Sequence, residues 1–241
     1  MNAGAGRPEH EAVEALAARH RAVLASIAGA CARAGRDPLD VQLLAVSKTV
    51  APERLRDAVA VGLDRLAENR VQDGVAKAPL VPGATWELVG PLQSNKARRA
   101  IETFVRIQTV DSADLARRLD RIAGEVRPRV PFPVLVQVNV DADPAKAGFA
   151  PAALERELGD LLTLENIRIG GLMTVGHLTN DPEAARPTFV ALRDLSRRVR
   201  AIHPELGPEL SMGMSDDFAV AVEEGATIVR VGRALFGARP G

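Results

Sequence analysis

Leu43-Leu44-Ala45-Val46-Ser47-Lys48-Thr49 is an apolar run that closes on a lysine. Read as a β-strand, it places Leu44, Val46 and Lys48 on one face and Leu43, Ala45 and Ser47 on the other. Lys48 is then expected to point toward a core from the C-terminal end of the strand. Desolvation there favours the neutral amine, the form that attacks a carbonyl, so Schiff-base chemistry is one reading. The other is a strand-terminal lysine whose stem packs while its ammonium reaches water. The architecture around the stretch decides between them.

Upstream, Val13, Leu16, Val23, Leu24, Ile27 and Cys31 recur at helical spacing from Glu9 to about Arg33, with Gly35 as the stop. Downstream, Pro52 opens a helix, Asp64 to Asn69 has strand length, and Arg70 to Ala78 is helical. Thr85 to Gly90 forms a third strand, followed by a basic helix from Ser94 to Thr103. Phe104 to Val110 is a fourth, with Asp111-Ser112 capping the next helix, and Pro133 to Val140 is the fifth and richest in β-branched residues. Strands at 167–173, 209–213 and 228–232 complete the set, separated by helices at 151–164, 183–203 and 215–224. Eight strands alternating with helices predict parallel βα units, and closure into a single (β/α)₈ barrel with an extra N-terminal helix is the economical architecture. An open doubly wound sheet is the alternative, but no Gly-x-Gly-x-x-Gly follows the first strand. Residues 1–8 are expected to form a flexible N-terminus and 9–241 the barrel domain.

A chain of 241 residues suits such a barrel. The formal net charge is zero, with 31 basic and 31 acidic residues, so nothing points to nucleic acid or an anionic membrane. No run approaches a membrane span, and the N-terminal stretch lacks a signal-peptide layout, so the chain reads as cytoplasmic. Cys31 is the single cysteine and is expected to pack within a helix, and the histidines at 10, 20, 177 and 203 show no metal-ligand spacing. Only four of the basic residues are lysines, Lys48, Lys77, Lys96 and Lys146, and the chain contains no tyrosine.

In a closed barrel the last strand pairs with the first, functional groups gather at the C-terminal strand ends, and the loops after strands 7 and 8 commonly bind phosphate. Those loops contain Ser211-Met212-Gly213-Met214-Ser215 and Arg230-Val231-Gly232-Arg233. Glycine admits backbone N–H groups to an anion, and Ser215 caps a following helix. Arg230 shares a strand face with Ile228 and Gly232 and points inward, where it needs an acceptor. A barrel carboxylate such as Glu68 supplies one in the first reading, a ring nitrogen of a bound cofactor in the second. An aldehyde for the lysine, a phosphate for the glycine loops and a ring acceptor for the arginine together describe pyridoxal 5′-phosphate.

The chain resembles the YggS/PROSC family of pyridoxal phosphate-binding proteins, also called pyridoxal phosphate homeostasis proteins, which share the barrel of the alanine racemase N-terminal domain. The resemblance runs from about residue 10 to 237 through Leu-Leu-Ala-Val-Ser-Lys-Thr (43–49), Glu-Asn-Arg-Val-Gln (68–72), Gly-Pro-Leu-Gln-Ser-Asn-Lys (90–96), Val-Asp-Ser (110–112), Gln-Val-Asn (137–139), Gly-Leu-Met-Thr (171–174), Leu-Ser-Met-Gly-Met-Ser-Asp-Asp-Phe (210–218) and Val-Arg-Val-Gly-Arg-Ala-Leu-Phe-Gly (229–237). It implies that Lys48 carries the cofactor as an internal aldimine, that Arg230 faces the pyridine nitrogen, and that Ser211, Gly232 and Arg233 surround the phosphate. Asn69 and Met173 match positions near the cofactor. Five positions depart from the family pattern: Leu66-Ala67 stands for Phe-Gly, Glu87 for a frequent histidine, Asp73 for glutamate and Arg233 for a small hydroxyl residue.

The implied function is a non-catalytic one in vitamin B6 homeostasis: a monomer that buffers the cofactor or delivers it to apo forms of pyridoxal phosphate enzymes. An amino-acid racemase is the alternative, and against it stand the missing tyrosine and the absence of residues for a second domain. A third class, a sugar-phosphate barrel enzyme with an aldolase-type lysine, predicts no bound pyridoxal phosphate. Lys96 and Lys146, on loops at the same barrel end, are either surface lysines or groups that attract phosphate or receive the aldehyde during handover.

Overall fold

The computed structural model describes residues 6–176 and 181–237. Eight parallel strands close in sequence order: β1 (Gln42–Val46), β2 (Arg65–Glu68), β3 (Thr85–Leu88), β4 (Arg106–Val110), β5 (Phe132–Gln137), β6 (Ile167–Met173), β7 (Glu209–Ser211) and β8 (Ile228–Val231). Helices alternate with them: α2 (Pro52–Ala60), α3 (Val71–Lys77), α4 (Ala97–Thr103), α5 (Ala113–Val126), α6 (Pro151–Leu162), α7 (Arg186–Ile202), α8 (Phe218–Glu223) and the four-residue α9 (Arg233–Phe236). The extra helix α1 (Gly6–Ala34) precedes the barrel and lies against α2, α8 and α9. Cys31 is fully buried in it. Of the segment 1–8, residues 1–5 lie outside the described residues and 6–8 begin α1; His177 also lies outside them.

Strand alternation sorts the side chains into two cores. One face of each strand packs under the helices, with Ala45, Leu66, Ile107, Val134, Leu172 and Val229 among the buried residues. The other face fills the barrel with Leu44, Ala67, Val89, Leu135, Met173 and Ile228, joined by Val46 and Val175. Leu44 and Val46 therefore occupy the inner face assigned to them by sequence. Charged and amide side chains share that interior: Glu87, Arg106, Gln108, Ser211 and Arg230 are all buried.

Several boundaries differ from expectation. β4 begins at Arg106, because Phe104 leaves the strand line to bury its ring against α3, where a methyl on Gly74 would lie 2.3 Å from it. β5 ends at Gln137 rather than Val140, since Val138 bridges to Phe149 and the Asn139 amide turns to Asp143 O at 2.7 Å. β7 stops at Ser211 and α8 starts at Phe218, separated by a turn in which Gly213 takes φ +92. A Cβ there would sit 2.6 Å from that of Ala221, so both the conformation and the packing require glycine.

Candidate functional site

Parallel pairing of β1 with β8, Ala45 opposite Val231, closes the barrel and sets the ends of these two strands side by side. One residue further along each, Gly232 lies so close to Val46 that a methyl on it would stand 3.3 Å from the Val46 carbonyl. The Lys48 end of β1 and the glycine end of β8 thus form one rim.

Lys48 itself is exposed there. Of the two readings of the sequence, the inward one is not met and the strand-terminal one is: β1 ends at Val46, and Thr49, with φ +66, turns the chain away at the barrel mouth. The positions inside are already filled by Leu44 and Val46. The peptide leading to Lys48 is held from the outer face. Ser47 Oγ lies 2.9 Å from Ala67 O and 2.8 Å from Glu68 Oε1, two acceptors that share its one proton. Lys77 Nζ donates to Ser47 O at 2.9 Å and to Glu68 Oε1 at 2.6 Å. Glu68 is the fully buried carboxylate of this group, so its partner is Lys77 and not Arg230. Its parity explains the change: Glu68 shares the outward face of Leu66, whereas Arg230 is inward.

Lys48 and Asn69 line a cavity of about 620 Å³ with Arg70, Gln72, Gln93 and Lys96. Asn69 Oδ1 is buried with no hydrogen-bond partner among the described residues, an orphan acceptor that a ligand group can satisfy. Lys96 Nζ donates to the neutral Gln72 side chain at 2.9 Å. Lys146 is not in this cavity; it pairs with Asp141 at 2.7 Å, whose other oxygen accepts from Thr188, so it clamps its loop to α7. A larger cavity, about 680 Å³, opens at the N-terminal barrel end around His20, Gln42, Asp64 and Glu209. That end of such a barrel serves stability, and its size is no reason to move the site there.

Arg230, on the inner face of β8, is 4 % exposed. Its partners are neutral: Nη1 donates to Ser211 Oγ at 2.7 Å and Nη2 to Thr174 O at 2.8 Å. Burial pulls the guanidinium down to about 10, opposed by the field of Asp217, so it stays cationic at neutral pH. Burial likewise raises the Asp217 carboxyl, against its hydrogen bond from Met214 N at 2.6 Å and the charge of Arg230.

The remaining sequence-selected residues fall into two groups. Met173 and Ser211 lie in the interior beside Arg230, both fully buried. The Ser211 hydroxyl donates to Gln108 Oε1 at 2.6 Å while accepting from Arg230, so its proton is committed to the interior. Gly213, Ser215, Gly232 and Arg233 form the loop pair above β7 and β8. Ser215 Oγ accepts from Gly232 N at 3.1 Å, and Arg233 is answered by Asp216. The structure brings Lys48 and Asn69 into one cavity; 211–215 and 230–233 lie outside its lining, across the β1–β8 rim. Sequence reasoning missed Lys77, Thr174, Asp217 and Gln108. Gln108 alone carried a signal, the alternation of Arg106 and Gln108 with apolar Ile107.

The family described as alanine racemase, N-terminal domain, matches residues 20–240. A pyridoxal phosphate homeostasis protein of Pseudomonas aeruginosa is 41% identical over 222 residues, covering 90% of this chain and 93% of the relative. Another, of Aquifex aeolicus, is 39% identical over 219 residues, covering 90% and 95%. Among solved structures, PipY of Synechococcus elongatus with PLP bound superposes with a TM-score of 0.80 at 41% identity, covering 92% of this chain and all of that one.

Proposed function

Because the chain belongs to the alanine racemase N-terminal domain family and, within it, to the pyridoxal phosphate homeostasis proteins, we propose that it holds pyridoxal 5′-phosphate on Lys48 and keeps it in reserve without turnover of its own. The observation that carries this reading is a buried cation whose hydrogen-bond partners among the described residues are neutral, Arg230, on the strand paired directly with that of Lys48.

The residues fit the group. Lys48 presents a primary amine at the rim, its peptide fixed by Ser47 and Lys77. Arg230 would hold the pyridine nitrogen and, being unable to accept, would favour its unprotonated form. Gly213, Ser215, Gly232 and Arg233 supply backbone N–H groups, a hydroxyl and charge for the phosphate, with Ser211 acting through Arg230. Asn69 would offer an oxygen that is unpartnered among the described residues, and Met173 an apolar surface. When bound, pyridoxal 5′-phosphate supplies an aldehyde for the amine and a ring that withdraws electrons from the attached carbon. Racemisation also needs a second acid–base group, and the tyrosine that barrel racemases use for it is missing from this chain. Apo forms of pyridoxal phosphate enzymes are the partners this role implies.

Purified protein incubated with pyridoxal 5′-phosphate should gain the yellow band of a lysine-bound cofactor, and Lys48→Ala should lose it. Chiral chromatography of alanine and serine after incubation with loaded protein should show no change of enantiomer. Measurable racemisation would overturn the reserve role, and an unlabelled Lys48 would overturn the site.

A further inference from the structure

A continuous run of hydrogen bonds crosses the barrel interior beneath Arg230. Arg230 Nη1 donates to Ser211 Oγ at 2.7 Å, Ser211 Oγ donates to Gln108 Oε1 at 2.6 Å, and Gln108 Nε2 donates to Glu87 Oε2 at 2.6 Å. Glu87 also accepts from Arg106 at 2.7 and 2.8 Å, and Arg106 reaches on to Glu209. Ser211 and Gln108 are completely buried, and Glu87 is 3 % exposed.

The ends of the run dictate its sense. A guanidinium has only donors, so Ser211 must accept from Arg230 and pass its own proton onward. The Gln108 oxygen therefore faces Ser211, and its NH₂ faces a carboxylate that has only acceptors. Neither the hydroxyl nor the amide can turn without breaking two bonds in a dry interior, where an unmade bond is costly. Among the described residues Arg230 has one other hydrogen-bond anchor, Thr174 O. A planar fork held at one nitrogen pivots about that bond; the second hold, through Ser211, fixes its plane.

We propose that Gln108, backed by Glu87, is a positioning residue for Arg230: by locking the Ser211 hydroxyl it sets the guanidinium plane against the ring nitrogen of the bound cofactor. This rests on the assignment of Arg230 to that nitrogen under the proposed function. Glu87, where the family often has histidine, then supplies the fixed acceptor that ends the run, and Arg106 balances its charge.

The test compares dissociation constants of the full chain for pyridoxal 5′-phosphate and for its 1-deaza analogue, in which C–H replaces the ring nitrogen. The wild type should prefer the natural cofactor by about tenfold or more, the worth of one charged hydrogen bond. Gln108→Leu should shrink that preference to about threefold or less, by weakening the natural cofactor and leaving the analogue unchanged. Gln108→Asn, which keeps the amide but withdraws it by one methylene, should do the same and serves if the leucine variant does not fold. A wild type without preference would overturn the Arg230 assignment and the inference with it. A wild-type preference that survives in folded Gln108→Leu or Gln108→Asn, or a loss of affinity equal for both ligands, would overturn the positioning role alone.

Discussion

The rim around Lys48 and the interior around Arg230 stand one strand apart and are built on opposite rules. At the rim the lysine is exposed, and the neighbouring Asn69 keeps a buried oxygen unpartnered among the described residues. In the interior each polar group from Arg230 to Glu209 is tied to the next through specified atoms. An exposed amine is accessible to an aldehyde from solution, while a saturated interior holds one orientation between encounters. A cofactor reserve needs both: access at the reacting atom and preorganisation at the ring. The outer clamp of Ser47, Glu68 and Lys77 joins them, since it fixes the peptide of Lys48 without burying its amine.

The largest expected contrast comes from removing one group from each region. Lys48→Ala should abolish covalent capture and leave the thermal midpoint of the cofactor-free protein nearly where it was, as surface substitutions do. Glu87→Leu should do the reverse to stability. It strands the Gln108 amide and removes the carboxylate that accepts two hydrogen bonds from Arg106, and breaking one side of a buried pair costs about 3–5 kcal/mol. Urea unfolding without cofactor measures it; a loss below about 1 kcal/mol would mean the interior is not held as argued. A smaller effect, of opposite sign, is expected at Arg230. Its depression to about 10 amounts to a penalty of about 3 kcal/mol on the buried charge. Arg230→Gln relieves that penalty but forfeits about 1–2 kcal/mol of hydrogen bonding to Ser211 and Thr174. The cofactor-free variant should be more stable by about 1–2 kcal/mol while binding pyridoxal phosphate more weakly. The penalty is present in full at neutral pH and lifts only above about pH 10, where the folded state sheds the proton first. A variant less stable than the wild type at pH 7 would contradict this.

The strand period made the barrel legible, along with the inner face of Leu44 and Val46 and the inward aim of Arg230, because alternation of side chains is local and a closed parallel sheet repeats it. The exposure of Lys48 is one of two readings that the sequence leaves open. It depends on a strand ending two residues early and on the left-handed conformation of Thr49, which no residue preference announces. The partner of Glu68 was hidden for a related reason: that choice needs the register between a strand and the next helix, and Lys77 enters from α3. Arg106 and Gln108 did alternate visibly with Ile107, but opening the fourth strand at Phe104 drew attention to its apolar residues. Glu87 and Arg106 are neighbours only through the β3–β4 register, a non-local fact.

Asp217 tests the boundary between the two regions, with the smallest expected effect. It lies buried at the turn before α8, accepts from Met214 N, and feels Arg230 from one side and Asp216 from the other. Burial outweighs the hydrogen bond and the arginine, so its carboxyl is raised above the ordinary value of about 3.9. The folded protein therefore keeps the proton at pH values where the unfolded chain has lost it. The contribution of this group to stability is greatest below the ordinary aspartate value and declines as pH rises through the raised one. Asp217→Asn is neutral throughout and keeps an oxygen for Met214 N. The stability of the variant relative to the wild type should consequently climb with pH across that window and level off above it. Urea midpoints of both proteins at intervals from about pH 4 to 8 measure the difference. A flat difference would mean that Asp217 titrates as it does in the unfolded chain, and a falling one that the field of Arg230 reaches the turn more strongly than burial opposes it, which would make the interior and the rim one electrostatic unit.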